Sequence, residues 1–97
     1  MNLISITPSS NKSKKFTATF EYKDGSFKRI HFGQKGYTDY TLGATEIQRQ
    51  AYRSRHRNDN LSKADTPGAL SYYLLWGKSR SLKENLKAFN SKFNIIP

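Results

Sequence analysis

The sequence predicts an α+β fold: an amino-terminal β-hairpin, a small antiparallel sheet, packed against about three α-helices. Three observations predict it. Apolar and polar residues alternate from Phe16 to Lys23, an Asp24-Gly25 turn signal follows, and the second half carries three segments that each open with a helix-capping residue. Strands followed by helices, rather than alternating with them, place the helices together on one face of the sheet.

Residues 1–15 read as a flexible basic arm ahead of a single compact domain, residues 16–97. Leu3-Ile4-Ser5-Ile6 can add a short strand to something, but Pro8 to Lys15 is polar, basic and poor in apolar side chains. From Phe16 onward, Phe16, Ala18, Phe20 and Tyr22 share one strand face and Thr17, Thr19, Glu21 and Lys23 the other. Parity then selects the turn. A two-residue Asp-Gly loop pairs Phe20 with Arg29 and Ala18 with His31, which puts charge on the apolar face. A three-residue loop, Lys23-Asp24-Gly25 with Gly25 left-handed, pairs Phe20 with Lys28, Ala18 with Ile30 and Phe16 with Phe32. Because a shift of one residue turns every side chain over, the second register is the expected one, with Arg29 and His31 outward beside Thr17 and Thr19.

Gly33 to Thr41 connects sheet to helix, with Tyr37 and Tyr40 expected to cap the core and Asp39 to serve as a turn or cap residue or as a partner for an arginine-rich helix. Thr45 with Gln48 forms a capping box for a helix to about Arg57. Thr66 and Pro67 open a second helix that ends at Gly77; its Ala69, Leu70, Tyr73, Leu74 and Trp76 leave little polar surface, so it should be the most buried. Ser81 and Glu84 open a third, on which Leu82, Leu86, Phe89 and Phe93 share a face. The tail Ile95-Ile96-Pro97 is apolar enough to pin itself to this core or to a neighbour.

Charge directs the functional reading. Seventeen Lys and Arg oppose seven Asp and Glu, giving a formal net charge of +10. A field of that sign draws phosphates, acidic protein surfaces or anionic lipid, of which nucleic acid is the commonest partner. Four of the six arginines fall between Arg49 and Arg57 with no acid among them. Helical spacing gathers Arg49, Arg53, His56 and Arg57 on one side and turns Ile47, Ala51 and Ser54 toward the core. The candidate polyanion-binding set is Arg49, Arg53, Arg55, His56 and Arg57, with Tyr52 at the stripe's edge and Lys35 and Arg29 as neighbouring cations. Most charge runs are solvated faces. Here the mutual repulsion of four arginines favours a ligand. Lys12, Lys14, Lys15, Lys78 and Arg80 are secondary basic positions.

Cysteine is absent, which excludes disulfides and thiolate zinc sites. His31 and His56 stand on different elements without neighbouring ligands, and Glu21-Tyr22-Lys23 matches only a three-residue fragment of some nuclease motifs. No nucleophile–base pair is visible, so the expectation is a non-enzymatic protein with no cofactor and no metal. The longest apolar run, Tyr72 to Trp76, is far short of the ~20 residues that span a bilayer, so no membrane partner is expected.

The order Phe20-Glu-Tyr-Lys-Asp-Gly-Ser26, His31-Phe-Gly-x-Lys-Gly-Tyr-x-Asp-Tyr-Thr41 and Tyr52-x-x-Arg-His-Arg57, continued by Thr66-x-Gly68-Ala-Leu-Ser71 and Leu74-Leu-Trp76, resembles a family of small uncharacterised basic proteins encoded by large double-stranded DNA viruses of algae and amoebae. The resemblance spans roughly residues 16–93. It implies a viral setting, with the protein in the virion and in host cytoplasm or nucleus during infection. Its expected partner there is nucleic acid, DNA ahead of RNA, for genome packaging or condensation. The alternative is a minor capsid or cement role against acidic capsid proteins, supported by apolar ends that could insert into neighbours in a larger particle. No catalytic residue transfers.

Overall fold

A computed structural model of the chain describes residues 1–95; Ile96 and Pro97 lie outside the described residues. Three antiparallel strands, β1 (Asn2–Pro8), β2 (Lys14–Glu21) and β3 (Phe27–Gln34), form one sheet in the order β1-β2-β3. A 3₁₀ turn (Tyr40–Leu42) leads to α1 (Glu46–His56). A short α2 (Pro67–Leu70) runs straight into a π-helical turn (Ser71–Leu75), and α3 (Leu82–Lys92) closes the described fold. The α+β class expected from the order of elements is the one observed.

The hairpin register is the one parity selects: Phe16 faces Phe32, Ala18 faces Ile30 and Phe20 faces Lys28. Tyr22 N–H donates to Ser26 O (2.9 Å) and Gly25 N–H to Tyr22 O (2.9 Å), enclosing a loop of Lys23, Asp24 and Gly25. Gly25 has φ +84°, a left-handed conformation that costs glycine nothing. Phe20 and Phe32 are fully buried and Ile30 nearly so. Each such side chain contributes about 1.5–3 kcal/mol on leaving water.

The amino terminus departs from expectation in part: Leu3-Ile4-Ser5-Ile6 does add a strand, but to the protein's own sheet. It is not a flexible arm: β1 pairs along β2, with Leu3 opposite Phe20, Ser5 opposite Thr19 and Ile6 opposite Ala18. Ile4 is the extra residue of a bulge between Leu3 and Ser5, and it is exposed. The bulge is the physical reason that simple alternation does not show which face of this strand is apolar. Leu3 and Ile6 are three apart, a spacing that simple alternation sends to opposite faces; one unpaired residue returns both to the core side. Residues 9–13 are ordered too, since Asn11 N–H donates to Ser9 Oγ, Ser13 N–H to Asn11 Oδ1, and Lys14 N–H to Asn11 O.

The helix starts follow their local signals. Thr45 Oγ1 accepts from Gln48 N while Gln48 Oε1 accepts from Thr45 N, a complete capping box worth about 1 kcal/mol. Thr66 caps α2 ahead of Pro67. Ser81 caps α3, although the Glu84 carboxylate takes its hydrogen bond from Ser79 Oγ (2.8 Å) instead of completing a box. Ala69, Leu70, Leu74 and Leu75 are buried, so the helix through residues 67–75 is the central one. With Phe89 of α3, Ile95, and Leu3, Ala18, Phe20, Ile30 and Phe32 of the sheet, it forms the core.

Tyr22 ties the hairpin to the turn before α2: its hydroxyl donates to Asp65 Oδ2 (2.7 Å). Desolvation, the hydrogen bond to Asp65 and the carboxylate's charge push the phenol up to about 12 from 10.0. A raised acid stabilises the fold in its protonated form. The contribution is therefore complete below pH 10 and lost as pH rises from 10 through 12. Urea unfolding at pH 9 and pH 11 should show this alkaline loss in the native protein, and Tyr22→Phe should remove it.

Candidate nucleic-acid interface

Helix α1 turns Arg49 and Arg53 of its cationic stripe inward, contrary to the sequence expectation, while Arg57 stays exposed. Ile47 is 83% exposed, Ala51 and Ser54 are exposed, and no residue of α1 is fully buried. Arg49 and Arg53 instead point at the carboxyl end of the 67–75 helix. Arg49 Nε donates to Gly77 O (2.7 Å), and Arg53 Nη1 donates to Trp76 O (2.8 Å) and Tyr72 O (3.3 Å). From the opposite side, Asn85 Nδ2 of α3 donates to Leu74 O (2.9 Å) and Ser79 O (2.8 Å).

The physical logic is that of a helix end. The last carbonyls of a helix have no partner within it and carry the negative pole of its dipole. The π turn, in which Trp76 N–H reaches Ser71 O (3.1 Å), shifts the remaining acceptors, and two guanidinium groups and an amide take them. Arg53 also lies over the Tyr72 ring, 4.0 Å from its centroid. Burial away from water lowers the Arg53 pKa from its ordinary value, and the aromatic and carbonyl partners offset that cost. Arg49 is further engaged by Glu46 Oε1 (3.0 Å).

The other members of the candidate set divide in two. Tyr52 is stacked between Trp76 (4.5 Å, 8° between planes) and His56 (4.2 Å), and burial raises its phenol pKa. His56 Nδ1 meets Asp59 Oδ2 at 2.9 Å. Tyr52 and His56 thus brace α1 against the helix end. Arg55, Arg57, Lys35 and Arg29 are exposed, and among the described residues none of their side chains has a hydrogen-bond or ion-pair partner. Arg29 stands opposite Thr19 on the sheet face away from the helices. Beside it, His31 Nδ1 lies 2.7 Å from Thr17 Oγ1 and 2.8 Å from Ser9 Oγ.

The loop between β3 and α1 follows expectation in part. Asp39 is buried and caps the 3₁₀ turn, but its ionic partner is Lys15 (2.6 Å) and not the arginine helix. Tyr40 lies between cations, with Arg80 4.2 Å and Arg49 5.5 Å from its ring centroid. Arg80 Nη1 donates to Ala44 O (2.9 Å), which ties this exposed arginine to the loop. Tyr37 does not cap the core; it is 66% exposed.

Sequence reasoning missed an open cleft of about 670 Å³ between the open end of the β2–β3 hairpin and the flank of α1. Phe32, Leu75 and Trp76 form its apolar floor. Lys14 and Arg55 supply cations, Tyr37 a free aromatic ring, and Gln34 and Gln48 amides. The available signal was partial: Lys14 was visible as a basic residue, but only the pairing of the hairpin brings it across from α1.

Among the described residues, no helix is long and apolar enough to cross a membrane. The model of a family of unknown function (DUF5754) matches residues 4–56, which run from β1 to the end of α1. The chain is also similar to the uncharacterized protein L851 of Acanthamoeba polyphaga mimivirus, 35% identical over 80 residues that cover 75% of this chain and 80% of that protein. No solved structure matches. The mimivirus relative supports a viral setting, and the extent of the family match establishes that the chain belongs to the family of unknown function DUF5754.

Proposed function

We propose that this protein is a non-enzymatic binder of the nucleic-acid backbone, acting within a virus particle in packaging or condensing the genome. One observation carries the reading: the positive charge has very little internal compensation. Six of the seven carboxylates are already engaged, Asp39 by Lys15, Glu46 by Arg49, Asp59 by His56, Asp65 by Tyr22, Asp24 by Ser26 and Glu84 by Ser79. Of the seventeen Lys and Arg, only Lys15 and Arg49 form an ion pair with a carboxylate among the described residues. The remainder repel one another until an external anion neutralises them, and a phosphate backbone does so with release of its counterions.

The contact residues are Arg55 on the cleft side of α1, Arg57 at the carboxyl end of that helix, Lys14 across the cleft and Lys35 just beyond it, with Arg29 standing apart on the sheet face away from the helices. Arg49 and Arg53 are occupied by backbone carbonyls and drop out. The alternative, a cement protein meeting acidic capsid surfaces, draws on the same free cations and on the exposed Ile4, although Leu3 and Ile95 are buried in the protein's own core.

The test is salt dependence. Affinity for duplex DNA should fall steeply with salt, and a Lys14/Arg55/Arg57→Ala triple variant should reduce the slope of log K against log salt by about 2.7, roughly 0.9 for each lost phosphate contact. Binding that is insensitive to salt, or absent at low salt, refutes the reading.

A further inference from the structure

We infer that the cleft between the hairpin and α1 receives an unstacked base, so that the preferred nucleic acid is single-stranded. This deepens the backbone-binding reading and rests on it. Recognition of a single strand calls for three kinds of group within one nucleotide's reach: cations for the phosphates, an exposed aromatic face for the base, and amides for its edge. The cleft gathers all three. Lys14 projects from the hairpin side and Arg55 from α1, and neither has a carboxylate partner among the described residues.

Tyr37 has 66% of its surface exposed, and no other aromatic ring lies against it among the described residues. A large ring left unstacked beside an apolar floor is a platform without an occupant. Tyr52, by contrast, is already stacked on both faces and cannot serve. Gln48 uses its Oε1 to cap α1, which leaves its amide nitrogen for a ligand. A cleft of about 670 Å³ lies within the size range of small-ligand sites, roughly 300–1,000 Å³, and a duplex cannot enter it.

Backbone electrostatics alone favour the duplex, whose charge density is higher. A preference for single strands therefore isolates the contribution of the cleft. The experiment compares the full chain binding to fluorescein-labelled 12-nucleotide thymidine and uridine strands and to a 12-base-pair duplex at one salt concentration. It includes Tyr37→Ala, which removes the platform, and Ala51→Trp, which fills the cleft from an exposed position and leaves every cation in place.

At least one of the two strands should bind more tightly than the duplex. Each variant should weaken that binding about tenfold, in line with the loss of one base–aromatic stack. Duplex binding should be unchanged in both variants, which also verifies that they fold. Duplex binding equal to or tighter than that of both strands, or strand binding indifferent to both variants, overturns the cleft assignment and leaves the backbone reading standing. Competition by polyglutamate as effective as by an unlabelled strand of equal charge overturns it in favour of an acidic protein partner. Failure to bind strand or duplex at low salt refutes both readings.

Discussion

Replacing Gly77 with alanine is expected to destabilise the domain by about 4 kcal/mol or more, a large share of the ~5–15 kcal/mol that holds a domain of this size together. Gly77 is buried where the 67–75 helix turns toward α3. A Cβ there would stand 2.3 Å from the backbone oxygen of Tyr73 and 2.8 Å from the Asn85 side chain. A backbone carbonyl cannot swing aside as a flexible side chain does, so the helix end must open. Opening it also breaks the contacts of Arg49 with Gly77 O and of Asn85 with Leu74 O. In urea the unfolding midpoint should fall by about 2 M, given a slope near 2 kcal/mol per M. A shift under ~0.5 M would mean that the turn has slack that these distances deny it.

The second large effect separates two arginines two residues apart. Arg53→Ala should cost about 2–4 kcal/mol, because it strips charged hydrogen bonds from Trp76 O and Tyr72 O and removes a cation from the Tyr72 face. Arg53→Lys should recover little of this, since an ammonium cannot bridge two carbonyls and lie flat on a ring. Arg55→Ala should leave stability within about 0.5 kcal/mol and lower affinity for nucleic acid. Urea unfolding and binding, measured on both variants, check the pair. Equal stability for the two would show that the inward arginines of α1 contribute nothing to the fold.

This contrast marks how far the candidate site could be read in advance. Helical spacing correctly placed Arg49 and Arg53 on one face of α1, and the Thr45–Gln48 box correctly fixed where that helix begins. The inference failed in assigning the face to solvent. A cationic stripe faces out unless something negative waits inside, and here the negative object is the carbonyl end of a helix more than fifteen residues away in sequence. With Arg49 and Arg53 turned inward, Ile47 is carried outward to 83% exposure, opposite to the rule that apolar residues face the core.

The sequence by itself determined what depends on near neighbours. The Lys23-Asp24-Gly25 loop and the alternation around it admit one register that keeps arginine and histidine off the core face, and Thr45, Thr66 and Ser81 each open their helix with an oxygen placed for a free amide. Tertiary structure decided where distant partners compete. It brought β1 onto β2 through a bulge that hides the strand's periodicity, gave Asp39 to Lys15, and spent two arginines on the orphan carbonyls of another helix. The division has one physical cause: caps and turns close within a few residues, whereas a helix end or a buried carboxylate takes whichever partner the fold delivers to it.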